Sequence, residues 1–255
     1  MEMLDTNMLL FLLATGFLAA FIDSVVGGGG LISLPALLLT GLPSTVALGT
    51  NKLASTMASC TSTISFMRSG KVNFKLVKYL FPLSLIGSAF GAYAVTKIPQ
   101  EFLKPLVVVL LTGVTIYTLF KKDWGSTSTY KGITKKIAIL SVTVALLIGF
   151  YDGFFGPGTG SFLLFAFLMM GFDFVGAAGN AKVLNFGSNI AGLVTFAALG
   201  HINYQYGIPM GIAMIIGALI GSQVAIRKGS TYVRPLFIGV TVLMISKQAW
   251  DLLTH

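Results

Sequence analysis

Two aspartates sit in strongly apolar surroundings, each at the head of a glycine cluster. Asp23 begins D-S-V-V-G-G-G-G, and Asp152 begins D-G-F-F-G-P-G-T-G. Non-helical backbone and an acid at membrane depth are both costly, and persist where protein or water satisfies them or where they do chemistry. A half-helix starting after Gly27, Gly28, Gly29 and Gly30, or after Gly156 and Gly158 at Thr159 and Gly160, points free N–H groups and a positive dipole end at an anion. Close helix packing is the rival role for these glycines. The aspartates either carry protons coupled to a transported solute or cap the N–H groups of the glycine turns; capping is the preferred of the two.

Lys52 and Lys182 are the next candidates. An intramembrane lysine serves as partner to an anionic substrate or to an acid, unless it snorkels to the interface. Asn51, Asn185 and Asn189 lie on the same segments and can hydrogen-bond oxyanion oxygens or a neighbouring helix. The hydroxyls of Thr50, Ser55, Ser59, Thr159 and Ser161 can line a polar path or bond to their own backbone. Cys60 reads as a packing residue, His201 as a solvated loop residue, and Tyr204 and Tyr206 as an interfacial belt. No His/Asp/Glu cluster resembles a metal or hydrolase site, and no nucleotide-type phosphate loop exists, so no metal, no cofactor and no enzyme is expected.

These residues need a membrane to sit in. The chain is 55% hydrophobic and 10% charged, with a mean hydropathy of +0.87, which a soluble domain of 255 residues cannot tolerate at its surface. The expected class is an all-α polytopic membrane protein; the alternation of a barrel is absent. The net charge of +9 sits in short loops, where it orients helices rather than binding nucleic acid. The segment 1–7 lacks the basic start of a signal peptide, so the first apolar run is expected to be retained. A single cysteine excludes internal disulfides.

The chain reads as one unit written twice. Asp152 follows Asp23 by 129 positions, and an offset of 130 aligns Ala47, Gly49 and Lys52 with Ala177, Gly179 and Lys182. The same offset relates Phe66, Gly70 and Asn73 to Phe196, Gly200 and Asn203, and Gly87 and Gly91 to Gly217 and Gly221. Arg68, Lys71, Lys75 and Lys78 mark one loop as inside, while its counterpart near 200–207 has no Lys or Arg. The repeats are therefore expected to be inverted. Repeat 1 covers 1–121, with a broken hairpin at 8–40 and spans at 44–67, 75–96 and 103–121. A cytoplasmic linker follows at 122–135. Repeat 2 covers 136–255, with a hairpin at 137–172 and spans at 175–198, 205–226 and 232–250. Both termini are expected outside, and a homo-oligomer is left open.

At G-G-G-G-L-I-S-L-P-A-L-L (Gly27–Leu38), A-L-G-T-N-K-L (Ala47–Leu53), G-F-Y-D-G-F-F-G-P-G-T-G-S-F (Gly149–Phe162) and N-A-K-V-L-N (Asn180–Asn185), the chain strongly resembles the TauE/SafE family of membrane permeases. The resemblance covers nearly the whole chain and is closest to the branch with no assigned substrate. It implies passage of sulfur-containing anions, such as sulfite and organosulfonates, across the cytoplasmic membrane. It maps the site to Gly27–Gly30, Asn51, Lys52, Gly156–Gly160, Lys182 and Asn185. Asn51 precedes Lys52 but Ala181 precedes Lys182, so the two halves of the site differ. The expected function is a secondary transporter of a small anion working by alternating access. A passive anion channel and a structural membrane protein are the alternatives.

Overall fold

In the computed structural model the described residues are 6–97, 127–229 and the single positions Tyr232, Pro235 and Gly239. The expected spans at 103–121 and 232–250, and the linker up to residue 126, lie outside them. All regular structure among the described residues is helical. The elements are α1 (Thr6–Val26), α2 (Gly30–Leu38), α3 (Ser44–Arg68), α4 (Phe74–Val95), α5 (Lys135–Phe154), α6 (Thr159–Met169), α7 (Phe174–Ala198) and α8 (Tyr204–Lys228).

Four helices, α1, α4, α5 and α8, are long and apolar enough to cross a membrane. The 25-residue α3 and α7 are as long but more polar, because Thr50, Asn51, Lys52, Asn180, Lys182 and Asn185 on them are turned inward and buried. They form the centre, and the apolar helices form the rim. The two short helices begin where glycine allows the chain to turn. Gly27 and Gly28 take φ of 81° and 86°, and Gly156 and Gly158 take 95° and 88°, values that a side chain rarely allows. With 9 and 11 residues, α2 and α6 are about 14 and 16 Å long, half of a ~30 Å hydrocarbon core. Each glycine-broken hairpin thus has one long arm and one short arm. Asn73 and Asn203 cap α4 and α8, accepting from Leu76 N at 3.2 Å and Tyr206 N at 3.1 Å.

The helices pack most extensively as two bodies, and each apolar cluster also takes in residues of the other body, Val95, Phe154 and Phe196 in one and Val25, Leu31 and Phe66 in the other. One apolar cluster, around Leu12, Leu37, Leu48, Met210 and Met214, joins α1, α2 and α3 to α8. The other, around Leu76, Leu80, Phe167, Phe174 and Leu184, joins α5, α6 and α7 to α4. Each body therefore holds three helices from one sequence half and one from the other. Backbone contact seals the exchanged helices. A Cβ on Gly217 or Gly221 would overlap the α1 backbone at Phe17 and Phe21, and one on Gly87 or Gly91 would overlap α5 at Leu146 and Phe150. Ser84 and Ser88 add hydrogen bonds to Leu184 O (2.9 Å) and Ser188 O (2.6 Å).

Contacts between the two sequence halves recur at the sequence offset. Asn73 N donates to Asn180 Oδ1 at 2.8 Å, and Asn203 N donates to Thr50 Oγ1 at 2.9 Å. Gly179 lies against Lys71 O and Phe66, just as Gly49 lies against His201 O and Phe196.

Candidate functional site

The two glycine turns meet. Gly27 is in backbone contact with Gly160 and Ser161, Gly30 approaches Pro157, and Ser161 Oγ donates to Val26 O at 3.2 Å. Any side chain at Gly27 or Gly160 would force the hairpins apart. The starts of α2 and α6 consequently face one small cavity of about 30 Å³, room for about two waters. Its wall contains Gly28, Gly29, Gly30, Gly158, Thr159 and Gly160 from the turns, with Asn51, Lys52 and Ser55 from α3. Asp23, Asp152, Gly156, Asn185 and Asn189 complete its polar lining. Ala58 and Met214 line it as well; neither had a signal in the sequence, because both are residue types that normally only pack.

The charged residues pair crosswise. Lys52 Nζ on α3 lies 2.9 Å from Asp152 Oδ2 on α5, and Lys182 Nζ on α7 lies 2.6 Å from Asp23 Oδ2 on α1. Each pair links one body to the other. Both lysines are buried rather than snorkelling, at 3% and 2% exposure. With two cations and two anions, the centre is neutral as it stands. Among the described residues, both lysines of the centre are already paired with a carboxylate.

The two pairs are not equivalent. Lys182 donates a hydrogen bond to Asp23, whose other oxygen, Oδ1, accepts from Gly29 N at 3.2 Å. Asp23 thus caps its glycine turn and holds a lysine at once. Lys52 instead directs a hydrogen bond to Asn189 Oδ1 at 3.2 Å. Its contact with Asp152 is close but outside hydrogen-bond angles, so Asp152 Oδ2 is buried with no hydrogen bond. The Lys52 stem packs on Gly192, which has no side chain to block it. Asn51 Oδ1 is also buried without a partner among the described residues. Buried polar atoms of this kind are rare and need a reason.

The remaining sequence candidates separate. Lys182 and Gly27 stand behind the cavity wall rather than on it, and Asn185 is on it. Ser55 lines the cavity, while Ser59 bonds to Ser55 O at 2.7 Å and faces Asn189 Nδ2 at 3.5 Å. Thr50 is fully buried and anchors the α7–α8 loop rather than a solute path. Thr159 Oγ1 donates to Gly156 O at 2.7 Å and shapes its turn. Tyr204 is 54% exposed at the start of α8, and Cys60 is partly buried on α3. Among the described residues no three His, Cys, Asp or Glu come together as a metal site.

Residues 12–247 match the family model described as Sulfite exporter TauE/SafE. A Sinorhizobium protein named probable membrane transporter protein ORF9 is 37% identical over 96% of this chain and 93% of its own length. A Haemophilus influenzae protein named probable membrane transporter protein is 35% identical over 96% of each chain. The Escherichia coli K12 protein named probable membrane transporter protein YfcA is 34% identical over 92% of this chain and 87% of its own. No solved structure matches the chain.

Proposed function

From the premise that the chain belongs to the Sulfite exporter TauE/SafE family, we propose that it is a secondary transporter for a small anion. The solute in this reading is a sulfur oxyanion or an organosulfonate, carried across the cytoplasmic membrane by alternating access. One observation carries it: two glycine-broken hairpins present their short-helix N-termini to one polar cavity lined by the Lys52–Asp152 pair and by Asp23, which Lys182 holds from behind the wall. Backbone N–H groups at such ends favour an anion, and the relatives' names support transport.

The paired repeats are read as inverted. Supporting this are the loop charges, with Arg68, Lys71, Lys75 and Lys78 by the α3–α4 turn and no Lys or Arg at 200–207, and the contacts that recur at the 130-residue offset. The moving units in this mechanism are the two packed bodies, not the sequence halves. With no solute bound, the crossed ion pairs hold the bodies together. An arriving anion competes with a carboxylate for a lysine, and the released Asp152 or Asp23 then requires a new partner or a proton. The bodies rock as the pairs exchange, exposing the cavity to one side and then the other. A cavity of about 30 Å³ is smaller than a sulfur oxyanion, so in this mechanism the bodies must separate for the solute to enter.

Counterflow in proteoliposomes tests it. Preloading with unlabelled sulfite should accelerate entry of labelled sulfite, and Lys52→Ala should abolish that acceleration. Labelled entry unaffected by preloading would identify a channel. No flux of any sulfur anion would overturn the substrate reading.

A further inference from the structure

Resting on the reading that a small oxyanion enters this cavity, we propose that its ligand is a singly charged anion that carries a hydrogen-bond donor of its own. Fully deprotonated dianions are excluded. Two independent observations lead there.

The first is charge. Among the described residues the ionisable groups on the wall are Asp23 from α1, Lys52 from α3 and Asp152 from α5; Lys182 from α7 stands behind them, bound to Asp23. α2 and α6 contribute backbone and α8 contributes Met214. Tyr151, next to Asp152, turns its hydroxyl to Pro157 O. The four charges cancel. A dianion would leave two uncompensated charges in a buried site, whereas a monoanion leaves one, spread over two helix N-termini.

The second is hydrogen-bond polarity. An anion with no protons can only accept. The site has donors to meet it, in the turn amides and Lys52. Among the described residues it also has two acceptors with no hydrogen bond: Asn51 Oδ1, which has no partner, and Asp152 Oδ2, which has only its 2.9 Å charge contact with Lys52. Both residues are more than nine-tenths buried and both line the cavity. A ligand with only lone pairs would face these oxygens with lone pairs of its own. A ligand that keeps one O–H or N–H can satisfy one of them while its oxyanion accepts from the amides opposite. Ala181 holds the position equivalent to Asn51, so the donor is read on one side only and the ligand has a fixed orientation.

The test uses the purified full chain and two sulfonates of equal charge and nearly equal size: hydroxymethanesulfonate, which has an O–H, and ethanesulfonate, which has a methyl in its place. Sulfate serves as the dianion. Thermal stabilisation reports binding to the folded state. Hydroxymethanesulfonate should bind at least about tenfold more tightly than ethanesulfonate, since the latter leaves a buried acceptor unpaired. Sulfate should bind more weakly than either. Sulfite affinity should fall about tenfold per pH unit once hydrogen sulfite has lost its proton, while sulfate shows no such slope. Asn51→Leu should bring the two sulfonates close together. Equal binding of the two sulfonates, as expected if a water already satisfies both oxygens, overturns the donor requirement while leaving the anion site standing. Sulfate binding as tightly as the monoanions does the same. If no anion stabilises the folded protein, the anion site itself falls, and this inference with it.

Discussion

Removing Lys52 is the sharpest perturbation of the centre. In Lys52→Ala the Asp152 carboxylate keeps its burial, with a side chain 3% exposed, and loses its one counter-charge among the described residues. Its Oδ2 has no hydrogen bond to fall back on. Breaking a buried pair from one side costs about 3–5 kcal/mol. At about 2–4 °C per kcal/mol for a chain of this size, Tm should fall by about 6–20 °C. Lys182→Ala should cost less, because Asp23 keeps the Gly29 N–H bond and its side chain is 19% exposed, so water can reach it. The double variant Lys52→Met/Asp152→Leu, with both charges replaced by apolar groups, should recover most of the loss. Thermal unfolding of the detergent-solubilised protein, followed by size-exclusion chromatography after heating, reads all three. Equal losses for the two single lysine variants would refute the asymmetry. A double variant no better than Lys52→Ala would refute the claim that the cost comes from an orphaned charge.

The seams and caps give smaller, separable effects. Gly91→Ala places a Cβ on the Phe150 carbonyl, so α4 and α5 should separate and the yield of folded, monodisperse protein should drop sharply. Ser88→Ala removes one bond to Ser188 O and should cost about 0.6 kcal/mol, a typical value for an interhelical hydrogen bond in a membrane, seen as a small Tm shift. Asn73→Ala loses the cap on Leu76 N but keeps the backbone bond to Asn180, and should cost about 1 kcal/mol by the same assay.

The helices and glycine turns were legible in the sequence because their signals are local. Helices α3, α4, α7 and α8 lie over the segments 44–67, 75–96, 175–198 and 205–226, within two residues at each end, because long apolar runs broken by short polar loops are a local signal. The second hairpin at 137–172 contains α5 and α6 on either side of Gly156 and Gly158. The same sequence named Asp23, Asp152, Lys52 and Lys182 but not which acid meets which lysine. That pairing depends on how α1 and α5 cross to the other half, a long-range fact with no local mark. The unpaired oxygen of Asn51 is hidden for a related reason: a hydrogen bond that fails to form is a property of neighbours, not of residue type. In the sequence, capping stands against proton transfer for the aspartates; on Asp23 one oxygen accepts from Gly29 N and the other pairs with Lys182, a contact its local sequence does not mark.

The exchange of α4 and α8 between the bodies has a consequence for biosynthesis. Phe17 and Phe21 on α1 are sealed by Gly217 and Gly221, which the ribosome adds 200 residues later. At about 5–20 residues per second, α1 waits about 10–40 s in the bilayer before its partner exists. During that interval its glycine-matched face is covered by lipid or by the insertion machinery. The body built on α1 is therefore completed after the body built around α4 to α7, although α1 precedes the other described helices in the chain.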